Sequence, residues 1–424
     1  REVFTRDLAA ASREGLLTLT GLKTPREFYG TSLETFKISN QGIGSTLEEA
    51  REVTGQFVGI DGLEYAVISS SQYQKTPAAK VVQEITTALR LTHLQATVNL
   101  NCAVPPDWAN DLAEGPLFSQ LEESHNREGI RDLGAALAEE WLGTPQAGRI
   151  GWHVRAADFE PGQQASLSKM VRHALEGIPI LFIFDRLRRP ISLAEGLDRN
   201  HPAVLLQVGL HLPKLLDQPG TRSNPDKFIS KLGSLARLAL SAGAQKRDYL
   251  RKAGRTRPGI TRGFLLDRAR LVVVPVGIET VVRELMGQGI GSGGSGLDFG
   301  RKIITCLREV LVQDAKTTHL ESCLDSSPDF LIAEKLMGFP GLPNPPLPEA
   351  AGLTAWDETV PFKNQLKSGG ILHGVAESGT AALMVPRENT KSPEAIVDLL
   401  RYALSHTDIV RLQIIREGSP SLAK

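Results

Sequence analysis

The strongest constraint in this chain is an alternation. From about residue 76 onward, short and almost continuous apolar runs stand between amphipathic segments of helical period. QATVNL (95–100), RIGWHV (149–154), IPILFIF (178–184), AVLLQVGLHL (203–212) and RLVVVPVG (270–277) read as strands buried on both faces. ILHGV, TAALMV and IVRLQII continue the series near the end. Three intervening helices announce themselves by a polar residue followed by proline: Thr76-Pro77, Asn224-Pro225 and Ser392-Pro393. The polar side chain caps the helix, and the proline occupies a first position where its missing N–H costs nothing. Strand–helix alternation of this kind means a parallel-rich sheet clothed by helices. At least eight strands are visible, which favours a closed α/β barrel over an open sheet. The expected fold class is therefore α/β, with an α/β barrel domain over residues 76–424. Residues 1–75 are mixed: Arg6–Leu19 is a candidate helix, and GQFVGIDGLEYAVISSS reads as extended segments broken by glycine. They are expected to form an N-terminal helical and extended cap. The proline-rich stretch 338–368 reads as an excursion over the surface.

Charge narrows the function. Lysine plus arginine and aspartate plus glutamate number 48 each among 424 residues, a net charge of zero. That gives no electrostatic case for nucleic acid or for an anionic membrane. No apolar run is long enough to span a bilayer, and the N-terminus shows no apolar signal-peptide core. Cys102, Cys306 and Cys323 form no C-x-x-C pair, and an odd count argues against a disulfide framework. A reducing compartment, the cytoplasm, is the simple expectation. The chain does not begin with methionine, so it reads as a piece of something longer.

The stretch GQGIGSGGSGLDFG (287–300) has seven glycines. A phosphate loop needs a strand before it and Lys-Ser/Thr after it. Here a helical segment, IETVVRELM, precedes, and no G-K-[ST] follows. It reads as a mobile connection between two helices, and the chemistry is expected elsewhere.

In an α/β barrel the site lies at the C-terminal ends of strands. The densest polar cluster so placed follows ILFIF: Asp185, Arg186, Arg188, Arg189, Glu195, Asp198, Arg199, Asn200 and His201. Arg186, Arg189 and Arg199 could hold a phosphorylated or carboxylated small molecule, with Glu195, Asp198 or His201 as acid–base groups. A self-paired ion network is an equally good account of the same residues. A second candidate is NLNCAVPP, where Asn99, Asn101 and Cys102 end a buried strand. A third is His373, beside a Gly-Gly turn. No spacing suits a metal, and no motif names a cofactor.

The order of several pieces resembles glycyl radical enzymes, most closely the anaerobic (class III) ribonucleotide reductases. Leu210-His211-Leu212-Pro213 closes a strand before a long helix. Gly277-Ile278-Glu279 opens a helix after a strand, and Gly369-Gly370 precedes the last elements. The likeness covers about residues 90–416. It implies a barrel of two five-stranded half-sheets. A finger loop between the halves, here 185–202, would reach the centre carrying a thiyl-radical cysteine. It also implies a radical-activating partner protein, and large barrels often pair as homodimers. Cys102 would match a second, reducing cysteine. The sequence departs from that pattern in three ways: no cysteine in 185–202, no Arg-Val-x-Gly-Tyr motif and no C-x-x-C pair. Three readings follow: a glycyl-radical-type protein, a non-radical barrel enzyme for an anionic small molecule, and a non-enzymatic scaffold.

Overall fold

The computed structural model describes residues 3–21, 25–33, 42–69, 76–102, 123–144, 148–186, 189–256, 263–325, 359–385 and 392–416. Among the described residues, eleven strands form one sheet. In chain order they are β1 (Leu17–Leu19), β2 (Phe28–Leu33), β3 (Thr54–Asp61), β4 (Gln95–Leu100), β5 (Arg149–Val154) and β6 (Ile180–Phe184). Then come β7 (Ala203–His211), β8 (Ala269–Val276), β9 (Ser322–Leu324), β10 (Thr380–Val385) and β11 (Arg411–Arg416). The spatial order is β10-β11-β6-β5-β4-β3-β2-β7-β8-β9.

Pairing divides this sheet into two parallel halves. β2 to β6 run parallel to one another. β7 to β9 are parallel, as are β10 and β11. The halves meet at two antiparallel seams, β2 on β7 and β6 on β11. β7 is long enough to pair its start with β2 and its end with β1. This is the barrel of two five-stranded half-sheets that the resemblance implies. The hydrogen-bonded path ends at β9 and β10, and a side chain spans that gap. Buried Arg411 on β11 donates from Nε to Thr380 Oγ1 of β10 at 3.1 Å and pairs through Nη2 with Asp325, just after β9.

The outer faces of the strands pack under helices in two separate apolar cores. One joins Val58, Val98, Trp152, Phe182 and Leu412 to the helices around the first half-sheet. The other joins Leu205, Leu210, Leu271 and Val273 to the helices Pro225–Thr256 and Gly294–Thr318. Strand residues two apart share a face. The alternate set, including Phe57, Val204, Val272 and Val274, therefore points inward.

Several expectations need correction. Among the described residues of 1–75, β2 and β3 sit mid-sheet between β7 and β4, where a cap was expected. The short, glycine-bearing FYGTSL of β2 hides the period of a strand, while β3 falls in the stretch read as extended. Arg6–Arg13 is helical, but the chain leaves the helix before β1. ILHGV is not a strand. It lies within the helix Phe362–Ala376, which buries Gly369 and Gly370. A Cβ on Gly370 would stand 2.9 Å from the Asp408 backbone nitrogen, so the glycine permits a close helix-to-loop approach that mimics a turn signal in sequence. The excursion expected at 338–368 lies outside the described residues up to 358, and its end is helical.

The glycine stretch is indeed a helix-to-helix connection, between Ile278–Met286 and Gly294–Thr318, but a close-packed one. The buried Glu279 carboxylate accepts from Ile290 N at 3.1 Å, and a Cβ on Gly289 would collide with that carboxylate at 2.2 Å. Of the three polar–proline starts, Asn224 and Ser392 cap their helices through side-chain oxygens, at 3.0 Å to Asp226 N and 3.2 Å to Ala395 N. At the third, Pro77 itself takes the cap position.

Candidate functional site

The segment 185–202 leaves the C-terminal end of β6 and returns to the N-terminal start of β7. Both ends lie at the mouth formed by the C-termini of the first half-sheet. Between them it enters the barrel. Leu193 and Leu197 pack with Tyr29, Phe57, Val204, Val272 and Val274, and Ala194 packs on Leu181 and Ile183. This inner core is distinct from the two outer ones. The finger that the resemblance implies is therefore present as an apolar plug. The finger doubles back through a Ser192–Asp198 bridge, with Ala194, Glu195 and Gly196 all at positive φ. A Cβ on Gly196 would meet Val272 Cγ2 at 2.3 Å, so only glycine fits that tip.

Polar side chains from the barrel wall grip the finger. Buried Glu195 pairs with Arg149 and accepts from Gln207 Nε2 at 3.3 Å. Arg270 Nε donates to the Gly196 carbonyl at 2.6 Å, and its Nη1 reaches Asp198 Oδ2 at 2.7 Å. Asp198 also accepts from the backbone N–H groups of Asn200 and His201 and faces His201 Nδ1 at 3.0 Å. Its acid is lowered overall; burial acts against this, and the His201 hydrogen bonds and Arg270 outweigh it. Arg411 Nη1 donates to Ser192 Oγ at 3.2 Å. Three expected acid–base groups, Glu195, Asp198 and His201, thus form part of a self-paired network that fixes the finger.

The expected anion-binding arginines separate. Arg186 turns outward and donates to the carbonyls of Ala403, Thr407 and Ile409, closing the helix Pro393–His406. Arg189 pairs with Asp408 at 3.0 Å. Arg199 turns to the mouth, where Nε meets Asp61 Oδ2 at 2.9 Å and Nη2 meets Oδ1 at 3.4 Å. His373 is taken up in a backbone contact: from its helix, Nδ1 accepts from Val410 N at 3.1 Å. Burial, then Arg411, lowers its pKa to about 3, so it is a neutral structural acceptor.

The mouth carries an arrangement that the loop-centred reading missed. The inward-facing positions at the C-terminal ends of four successive strands are Asp61, Asn101, His153 and Asp185. Asn101, at φ +59, donates from Nδ2 to the His153 carbonyl at 2.7 Å and to Asp158 Oδ2 at 3.2 Å. It accepts from Arg155 Nη2 at 2.8 Å, and its backbone N–H bonds the Glu64 carboxyl. Asn99, one layer deeper, donates to Ile60 O at 3.4 Å and Leu193 O at 3.5 Å, tying the wall to the finger. Its Oδ1 lies over Gly151, where a Cβ would stand only 2.5 Å away.

Within this cluster His153 Nδ1 faces Asp185 Oδ1 at 2.7 Å. Glu64 is buried and its pKa is pushed up to about 7, first by burial and further by Asp61. Cys102 is buried beside Asp61, Arg199, Glu64 and Asp185, and burial holds its thiol protonated. Tyr65 Oη donates to the Cys102 carbonyl at 3.2 Å. So the structure brings Asn99, Asn101, Cys102, Asp185 and Arg199 together and adds Asp61, Glu64, His153, Arg155 and Asp158. The signal for His153 was present: in RIGWHV, the residues alternating with Ile150, Trp152 and Val154 point inward. Among the described residues no group of three His, Cys, Asp or Glu side chains could hold a metal ion. No described helix is long and apolar enough to cross a membrane.

No family model matches the chain, and no curated protein does. Solved structures do. The anaerobic ribonucleotide reductase from Thermotoga maritima in complex with dATP and CTP superposes with a TM-score of 0.67 at 13% identity, covering 97% of this chain and 79% of that one. The same reductase with citrate in the active site gives 0.64, covering 97% and 86% at 13% identity. The class Id ribonucleotide reductase alpha subunit of Actinobacillus ureae gives 0.54 at 11% identity, covering 98% and 90%. At such identities the likeness establishes architecture. The chain has the fold of the anaerobic ribonucleotide reductases, with Ala194-Glu195-Gly196 at the tip of its central finger.

Proposed function

We propose that this barrel binds a small polar molecule at the mouth of its first half-sheet and acts on it by proton transfer. His153, oriented by Asp185, is the base, and Glu64 is the acid. The observation that carries this reading is the His153–Asp185 pair, whose outer atoms His153 Nε2 and Asp185 Oδ2 have no hydrogen-bond partner among the described residues. A carboxylate on Nδ1 fixes the tautomer and leaves Nε2 to take a proton. Glu64, still protonated near neutrality, can return one. The finger supports a non-radical reading, since it presents a paired glutamate and segment 185–202 has no sulfur. Fold alone does not decide the chemistry. The odd cysteine count keeps a reducing compartment, the cytoplasm, as part of this reading.

A second reading keeps radical chemistry. Its support is Cys102, buried as a thiol at the mouth beside Arg199 of the finger. That role would call for a radical-activating partner protein. One experiment separates the two. The protein is incubated in D2O with a panel of small polar ketones, hydroxyaldehydes and keto acids, whose C–H beside the carbonyl is acidic enough to exchange, and carbon-bound deuterium is followed by NMR. Proton transfer predicts exchange that His153→Gln abolishes and Cys102→Ser retains. Loss in Cys102→Ser alone would favour the thiol. No exchange with any panel member would sink the proton-transfer reading.

A further inference from the structure

Resting on that proton-transfer reading, we infer that Asn101 is a positioning residue: its side chain fixes the base His153, and its backbone fixes the acid Glu64. Ladder pairing between β4 and β5 stops at Leu100 and Trp152, while β5 goes on pairing with β6 through His153 and Val154. His153 therefore lies just past the last pair on its β4 side, and it is fully buried. A carbonyl buried there needs a donor, and the β4 strand no longer supplies one from its backbone. Asn101 supplies it by leaving the strand. At φ +59 the chain turns out of the sheet, and the Asn101 side-chain Nδ2 donates to the His153 carbonyl at 2.7 Å.

The amide is itself locked. Its Oδ1 accepts from Arg155 Nη2 at 2.8 Å, and Nδ2 also reaches Asp158 Oδ2 at 3.2 Å. The next carbonyl of β5, that of Val154, accepts from Asp185 N at 3.1 Å on the β6 side. The end of β5 is thus held from both flanks, by the Asn101 side chain towards β4 and by the Asp185 backbone towards β6. Those contacts set the main chain from which His153 Nδ1 meets Asp185 Oδ1 at 2.7 Å. The same left-handed turn aims the Asn101 N–H at the Glu64 carboxyl. One residue therefore holds base and acid through separate atoms, and a substitution can free the first while keeping the second.

Asn101→Gly is that substitution. Glycine takes the positive φ and keeps the N–H on Glu64, so only the amide is lost. Asn101→Asp keeps the shape but sets an oxygen against the His153 carbonyl and the Asp158 carboxylate. Deuterium exchange into the carbonyl compound that wild type exchanges fastest is measured against its concentration, and the His153 Nδ1–H resonance is followed by NMR in the same proteins. Asn101→Gly should slow saturated exchange by about tenfold to a hundredfold, and Asn101→Asp at least as much. The half-saturating concentration should stay within about threefold of wild type. In both variants the Nδ1–H resonance should move upfield as the bond to Asp185 loosens. A half-saturating concentration that rises while the saturated rate holds would make Asn101 a ligand contact and overturn the inference. So would an Nδ1–H resonance unmoved in both variants. Should Asn101→Gly fail to fold, Arg155→Met releases the Oδ1 side of the same amide, with the same upfield shift and a smaller loss of about threefold expected. If wild type exchanges nothing, the proton-transfer reading falls by itself, and the Nδ1–H resonance still decides whether Asn101 places His153.

Discussion

The two half-sheets share an architecture and divide the work. The first, β2 to β6, ends its strands in Asp61, Asn101, His153 and Asp185, and these make the mouth. The second contributes Gln207, Arg270, Asp325 and Arg411, and these hold the finger or the seam. The antiparallel seams explain the division. They set the C-terminal strand ends of one half beside the N-terminal ends of the other. A helix-covered parallel sheet exposes its chemistry at C-terminal ends. The mouth is therefore built by one half, while the other half faces it with anchoring residues. The mouth draws its polar side chains from the first half, while the finger is held from both, by Gln207, Arg270 and Arg411 of the second and by Arg149 and Asn99 of the first.

That contrast can be broken, beginning with the largest expected effect. Arg411→Met removes the buried ion pair with Asp325 across the gap between β9 and β10, so stability should fall by about 3–5 kcal/mol in a denaturant titration. Both side chains are essentially without solvent exposure, at 0% and 1%. A mouth substitution behaves differently. Glu64 has its pKa raised from 4.5 to about 7. Between those values the unfolded chain ionises and the folded one keeps its proton. Stability from this group is thus greatest at low pH, falls as pH rises towards about 7, and then levels. Glu64→Gln should erase that slope, a difference on the order of 3 kcal/mol across the window. It is read as wild type minus variant, because buried His373 and His211, lowered to about 3 and about 4, act in the opposite sense.

Smaller effects sharpen the picture of the finger. Gly196→Ala meets Val272 as well as an unfavourable φ of +78, and should cost about 2–4 kcal/mol. Gly162→Ala, at φ +84 with open space, should cost only about 1–2 kcal/mol. Equal losses would mean that Val272 yields and the finger is loosely held. Smallest of all, Arg186→Ala should cost about 1 kcal/mol and speed hydrogen exchange at the end of the helix Pro393–His406, leaving ligand binding unchanged.

The legible part of the fold was whatever carried a period. β4 to β8, β10 and β11 were each visible as apolar runs, and Asn224-Pro225 and Ser392-Pro393 marked true caps. β2 and β9 were not. FYGTSL mixes aromatic, glycine and hydroxyl residues, and SCL is too short to show any period. ILHGV misled because glycines that let a buried helix approach its neighbour look the same as glycines that turn a chain. At the site, Cys102, Asn99 and Asn101 were found because Pro105-Pro106 break the sequence pattern just after an apolar run. His153 and Asp61 were passed over because each is a single polar residue at the end of an apolar run. Glu64 lies outside the strands altogether. The arginine-rich finger drew attention by charge density, and most of that charge is spent on internal pairing.

The position of the finger in the chain has a consequence for how the molecule assembles. Strand β2 finds its seam partner β7 only after about 170 residues, and β6 meets β11 across more than 200. Such separations slow folding, because closure entropy comes before the contacts that offset it. The finger joins β6 to β7, one strand from each seam. It can be enclosed only when they close on it, so the inner core of Leu193, Ala194 and Leu197 belongs to neither half alone. Cutting the chain at 187–188 would yield two fragments, each with one wall of the barrel. Their reassociation would be driven by the enclosure of a loop that one of them carries as a free N-terminal tail.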